Sequence, residues 1–262
     1  MHKKGLPVEK EHVMFKVVKL KSLLILLAAI LVTAAIVTGV TLGVKSDRAA
    51  NAFSPLPKKT VVVDAGHGGA DPGVTGIRTG VKESDLNLKL SLLLSDLFTS
   101  GGYRAVRTRN GEGSTVSGDF DKSADMAARR EIIRNANADA VISIHMNKYE
   151  DASRRGVQVF YSTEASAPLA EEMQKHLNQK MNVPTLGRGF DPIKGDFYIA
   201  DNGDVPSVIV ECAFLSNPID EALISDPDYR LRLAAEIQNA VASYLQSASN
   251  EASTALLEDA AS

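Results

Sequence analysis

The chain has a single cysteine, Cys212, so no intramolecular disulfide can form and the fold must be held by packing or by metal. Positive charge is in short supply too. The formal charge is −3, and with the seven lysines and two glutamates of residues 1–45 set aside the remainder holds 22 basic and 30 acidic residues, a net of −8. That balance excludes nucleic acid as a partner, and an anionic polymer would not retain the domain by charge. No internal repeat and no appended binding module is visible. What is present is ordinary for a globular protein: 44% hydrophobic and 23% charged residues over 262 positions, enough for one domain of about 200 residues with a full core.

Charge is missing altogether from Ser22 to Val44, SLLILLAAILVTAAIVTGVTLGV, 23 residues long. At about 1.5 Å per residue, a helix of that length crosses a hydrocarbon core of about 30 Å. Lys16, Lys19 and Lys21 precede it, whereas Lys45 and Arg48 follow beside Asp47. The bias leaves the amino terminus inside and sends the bulk of the chain outside. The alternative is a cleaved signal peptide, since Ala50-Asn51-Ala52 has the small-x-small pattern of a cleavage site. The apolar stretch exceeds the usual signal core of about 7–15 residues, which favours a retained anchor at the cell membrane over secretion. The expected organisation is a cytoplasmic basic segment (1–21), a membrane helix or signal anchor (22–44), a Pro- and Ala-containing linker (45–59), a catalytic domain (60–247) and a flexible tail (248–262).

From Thr60 the pattern alternates between strands and helices. TVVVDAGH, YRAVRTR, ADAVISIHMN, GVQVFYS and SVIVECAFL read as strands. ESDLNLKLSLLLSDLFTSGG, DMAARREIIRNAN, APLAEEMQKHLNQKM and DPDYRLRLAAEIQNAVASYL read as helices, with a Gly-, Pro- and Asp-rich loop from 182 to 206. Strands apolar on both faces, separated by helices, predict an α/β fold with a mostly parallel sheet covered on both sides. Ligands in such folds collect at the carboxyl ends of the strands.

Three strands carry one ionisable group each where apolar residues are expected. His67 ends the first, His145 ends AVISIH, and Glu211 lies within SVIVECAFL. A carboxylate between Val210 and Cys212 costs several kcal/mol unless it is paired, protonated or metal-bound. Glu83 opens the helix after the glycine-rich loop and can turn back toward His67; an acid in a first helical turn also suits the macrodipole, a role Asp85 can fill instead. Two histidines and one carboxylate are the ligand set of a catalytic zinc site. Such a site still needs a base to accept the water's proton, and Glu211, its pKa raised by apolar neighbours, is the candidate.

VVVDAGHGGADPG, KESDLN, SIHMN and VECAFLSNP, in this order over residues 60–246, resemble the zinc-dependent N-acetylmuramoyl-L-alanine amidases (amidase type 3) of bacterial wall hydrolases. The resemblance implies zinc on His67, Glu83 and His145, Glu211 as catalytic glutamate, and hydrolysis of the amide joining muramic acid to L-alanine in peptidoglycan. With one apolar amino-terminal segment and no wall-binding repeats, the chain is most similar to the germination-specific branch of spore formers, which implies a role in spore cortex maturation, stripping peptides from cortex glycan before muramic lactam forms. Lys148 and Ala213 depart from the family pattern, which bears on substrate detail and touches no proposed ligand. A zinc peptidase cutting within the stem peptide, or a silent wall-binding domain, are the alternatives. A protein activator is left open.

Other residues carry weaker expectations. Asn147, at the strand mouth, and Arg188, in the long loop, are candidates for binding substrate. Asp64 is placed either behind His67 as its orienting partner or in a turn. Arg129, at the start of the AARR helix, is placed either toward the site or, as is commoner for such a residue, in a surface ion pair. Cys212 alternates with Glu211 and so points into the core. His176 is expected on a solvated helix face, and the glycines around His67 to let backbone crowd a metal.

Overall fold

The run of valines forms β1 (Thr60–Ala65), every residue of which is buried. Val61 and Val63 join one core and Val62 another, so the strand demands cover on both faces. The computed structural model describes residues 58–116 and 120–259. The basic segment, the apolar segment of 22–44 and nearly all of the linker lie outside the described residues. Among the described residues no helix is long and apolar enough to cross a membrane.

The remaining strands are β2 (Arg104–Arg107), β3 (Ala140–Asn147), β4 (Gln158–Tyr161), β5 (Ile193–Lys194) and β6 (Ser207–Phe214). They form a six-stranded sheet in the order β2-β1-β3-β6-β4-β5. All pairings are parallel except β4 with β6, which is antiparallel. The expected α/β class with a mostly parallel sheet is what the chain adopts.

One face is thickly covered. Helix α1 (Glu83–Ser100) lays Leu86, Leu90 and Leu94 on it at four-residue spacing, α3 (Ala167–Leu177) adds Leu169 and Met173, and α6 (Pro227–Asp259) adds Leu233, Ile237 and Val241. Each such side chain contributes about 1.5–3 kcal/mol by leaving water. The other face is thinner: α2 (Lys122–Ala136) supplies Ile133 and Ala136, and a 3-10 turn at Tyr198–Ala200 supplies Ile199 and Ala200. The thin cover leaves a hollow between α2 and that turn, at the end of the sheet where β1, β3 and β6 stop.

The structure corrects the expected elements in three places. The long loop holds a one-turn helix, α4 (Val183–Leu186), the edge strand β5 and the 3-10 turn at Tyr198–Ala200. A short helix, α5 (Pro218–Ser225), follows β6, its start capped by the Asn217 side chain, which accepts from the N–H groups of Ile219 and Asp220. Third, α6 runs through Asp259 where a flexible tail is expected from 248. The tail contains neither Gly nor Pro and is rich in Ala, Glu and Leu, and the hydroxyls of Ser249, Ser253 and Thr254 donate to the carbonyl four residues earlier, so nothing stops the helix.

Candidate metal centre

Beyond Ala65 the Gly66 N–H still donates to the Ile144 carbonyl, and then the backbone turns at His67, whose φ of 59° is left-handed. The turn swings the imidazole across the sheet edge. Its Nδ1 meets Asp71 Oδ2 at 2.8 Å, and the ring centroid lies 5.0 Å from that of His145. The neighbouring glycines are needed for this closeness. A Cβ on Gly66 would lie 2.3 Å from the His145 ring, and one on Gly73 would lie 2.4 Å from Glu83 Oε2.

Glu83, 1% exposed, begins α1 and turns back as expected. Its Oε2 accepts from the Val74 N–H, and its Oε1 accepts from the Met146 N–H. The same Oε1 stands 3.2 Å from His67 Nε2 and 3.0 Å from His145 Nδ1. One ligand atom from each of the three residues falls within 4.8 Å of the others. Metal–donor bonds of about 2.0–2.1 Å in a tetrahedron set donors about 3.3 Å apart, so the residues present fit a divalent ion. Burial would raise the Glu83 carboxyl, but hydrogen bonds and charge from His145 and His67 outweigh it and hold the group far below the usual range. Burial opposes a charged His67, yet Glu83 and Asp71 raise its pKa. The trio is an acid bridging two imidazoles.

Glu211 is set beside this cluster by the β3–β6 ladder, which places it directly opposite His145. Its Oε2 is buried, with no hydrogen-bond partner among the described residues. Burial pushes its carboxyl up to about 7, against the pull of His145. Cys212, next along the strand, faces the opposite core and is buried, and burial raises its thiol well above the usual value. The cavity over these groups measures about 320 Å³ and is walled by His67, His145, Glu211, Lys122, Met126 and Tyr198 among others.

Beneath His67 the sequence reading needs correction twice. Asp64 does not touch His67: it is buried and accepts from Thr108 Oγ1, Ser143 Oγ and Arg129 Nη1. The orienting carboxylate is Asp71, which in sequence reads only as a turn residue. Arg129 is no surface residue but 1% exposed, reaching Asp64, Asp125, the Ala65 carbonyl and the His67 carbonyl. Burial would raise Asp64, but Arg129, with Ser143 and Thr108, holds it below the usual carboxylate range. Arg109, which the sequence reading missed, donates to the Ala65, Gly66 and Ser84 carbonyls, so two arginines clamp the backbone that carries His67.

The remaining candidates fall away from the centre. Asn147 ends β3, and its Oδ1 accepts from the Lys148 N–H. Arg188 stacks on Phe190 and lines a different hollow, with Arg154, Arg155 and Phe214. Instead of facing solvent, His176 meets Glu236 at 2.7 Å and ties α3 to α6.

A mostly parallel sheet whose carboxyl edge gathers two imidazoles, a bridging acid and a second acid with no partner among the described residues defines the class: a hydrolase on an α/β fold, with a His-Glu-His cluster that could hold a metal ion. The chain belongs to the N-acetylmuramoyl-L-alanine amidase family, whose model matches residues 61–243. Its similarity to the germination-specific N-acetylmuramoyl-L-alanine amidase of Bacillus subtilis is 27% over 197 residues, covering 72% of this chain and 81% of that one. An uncharacterised protein of the same organism, YqiI, is 32% identical over 200 residues, covering 74% and 89%. Among solved structures, the CwlD amidase of Clostridioides difficile, in complex with the GerS lipoprotein, is 32% identical, with a TM-score of 0.66, covering 72% of this chain and 99% of that one. The protein is accordingly an N-acetylmuramoyl-L-alanine amidase, an enzyme of peptidoglycan hydrolysis.

Proposed function

We propose that His67, Glu83 and His145 hold zinc and that Glu211 carries the proton in hydrolysis of the muramoyl–L-alanine amide. The observation that carries this reading is the buried, unpartnered Oε2 of Glu211 beside the three convergent ligand atoms. Zinc bound there supplies a Lewis acid for the scissile carbonyl and lowers the pKa of water. The chain's own residues do the rest. Glu211, poised near neutrality, takes the proton of the attacking water and delivers it to the departing alanine nitrogen, so the carbonyl carbon gains a hydroxyl as the C–N bond breaks. Asp71 keeps the proton on His67 Nδ1, which leaves Nε2 free to ligate.

The reading extends to place. The uncharged 22–44 segment with lysines before it supports a catalytic domain held outside the membrane by its amino terminus. Likeness to the germination-specific enzyme and to CwlD supports spore cortex as the substrate. Because CwlD was solved with a lipoprotein, a partner protein for this chain belongs to the same proposal.

The test is the full chain in mild detergent with purified peptidoglycan, with chelator, and with zinc restored. Peptides bearing a free L-alanine amine, absent after chelation and regained with zinc, are expected by mass spectrometry. A cut inside the stem peptide, or cleavage indifferent to chelator, overturns the reading. Asp71→Asn is expected to weaken zinc binding about 10–100-fold, because the imidazole loses its orienting acceptor. Competition against a fluorescent chelator measures this; an unchanged affinity would remove Asp71 from the site.

A further inference from the structure

The catalytic cavity does not end at the metal centre. Tyr198, half-exposed, lines both that cavity and a second hollow on the outer side of the 3-10 turn, about 490 Å³ in volume. The second hollow is walled by Arg130, Arg134, Asn137, Asn202 and Val205. The two hollows share a floor on α2. Lys122 and Met126 face the catalytic cavity, Arg130 and Arg134 face its neighbour, and the four recur at four-residue spacing along one stripe of the helix. From Lys122 to Arg134 that stripe is about 18 Å long at 1.5 Å per residue.

Among the described residues, two of its cations form no ion pair with an acid. The ion pairs that arginines form among the described residues fall on Arg107, Arg129 and Arg155, not on Arg130 or Arg134. Arg130 is held in place, its guanidinium 4.5 Å above the Tyr198 ring and donating to the Asp201 carbonyl. In a region with eight more acidic than basic residues, two neighbouring arginines without an acidic partner among the described residues, in a hollow that meets the catalytic cavity at Tyr198, favour an anion.

We infer that this trough receives the stem peptide of the substrate, with Arg130 and Arg134 binding its carboxylates. The inference rests on the amidase activity and adds a direction to it. The glycan side offers uncharged hydroxyls and acetamides, whose hydrogen bonds to a guanidinium are weaker than a carboxylate's; the carboxylates are on the peptide side. An extended peptide spans about 3.3–3.6 Å per residue, so about five residues fill the stripe. The peptide then leaves the metal centre over Tyr198 and along α2.

Binding of a free peptide separates this from the amidase reading, because no bond need be cut. The zinc-loaded full chain is titrated calorimetrically with a synthetic tetrapeptide stem carrying free carboxylates, and with the same peptide amidated at each of them. The acidic peptide is expected to bind at least tenfold more tightly, with an advantage that shrinks as salt is raised. In Arg130→Gln/Arg134→Gln the two peptides are expected to bind alike, whereas Arg130→Lys retains part of the preference, its charge kept and its fork lost. Equal binding of both peptides by the native chain, or a preference that survives the double substitution, overturns the trough. Retained peptide preference with no cleavage of peptidoglycan would sustain the trough and defeat the amidase reading instead.

Discussion

Glu211→Gln is expected to abolish hydrolysis and, at the same time, to stabilise the metal-free protein. The loss of activity is that of a proton carrier, about a thousandfold in kcat. The gain follows from linkage. The Glu211 pKa is raised from 4.5 to about 7 in the folded chain, so between these values the folded state keeps a proton the unfolded state has released. Stability contributed by the protonated acid is full below pH 4.5 and lost as pH rises through about 7. Glutamine suffers no such loss, and at pH 8 the variant is expected to be more stable by about 3 kcal/mol, the difference vanishing near pH 4. Urea unfolding of both chelated proteins at the two pH values reads this directly. Equal stability at pH 8 would mean that Glu211 has a partner after all, and retained hydrolysis would mean that another group moves the proton. The silent wall-binding alternative predicts stabilisation with no functional cost.

Arg129→Met carries the largest expected loss of stability. It leaves Asp64 and Asp125 buried without their cation and strips donors from the Ala65 and His67 carbonyls. Breaking a buried pair from one side costs about 3–5 kcal/mol, which for a domain of this size lowers Tm by about 10 °C. The deficit has its own pH signature. Asp64 is held below its unfolded pKa by Arg129, so its contribution is present above about pH 4 and is lost as pH falls through the folded value. Native and substituted proteins should therefore converge in acid. Calorimetry across pH 3 to 7 measures it, and a Tm within 2 °C of native at neutral pH would show that the network beneath His67 is dispensable.

Most of the cluster at the sheet edge is legible in sequence because His67, His145 and Glu211 each break a strong pattern, whereas Glu83, an acid in a first helical turn, breaks none. An imidazole at the end of a valine strand and a carboxylate inside SVIVECAFL are costly where they stand, and cost marks function. The supporting residues break nothing. Arg129 and Arg130 are adjacent in the helix, and only the tertiary fold tells which one is buried. Asp71 sits in a DPG turn, where aspartate is already expected, so its second duty to His67 leaves no trace. The fold class followed from alternation of elements, whereas β5, two residues long, and α5 carry too few residues for a period to show. The end of α6 leaves no mark in the sequence, because a polar alanine-rich stretch suits a helix as well as a tail.

The ladder between β3 and β6 works as a ruler whose divisions are single residues. Side chains alternate across a strand, so sliding β6 by one position against His145 would turn Glu211 into the core and bring Cys212 or Val210 to the cavity. The protein would then present a thiol or a methyl group to the two imidazoles, and its acid would be entombed among leucines. Main-chain hydrogen bonds thus decide which reagent the enzyme wields, and strand slippage would convert a hydrolase into a different molecule without altering one letter of its sequence.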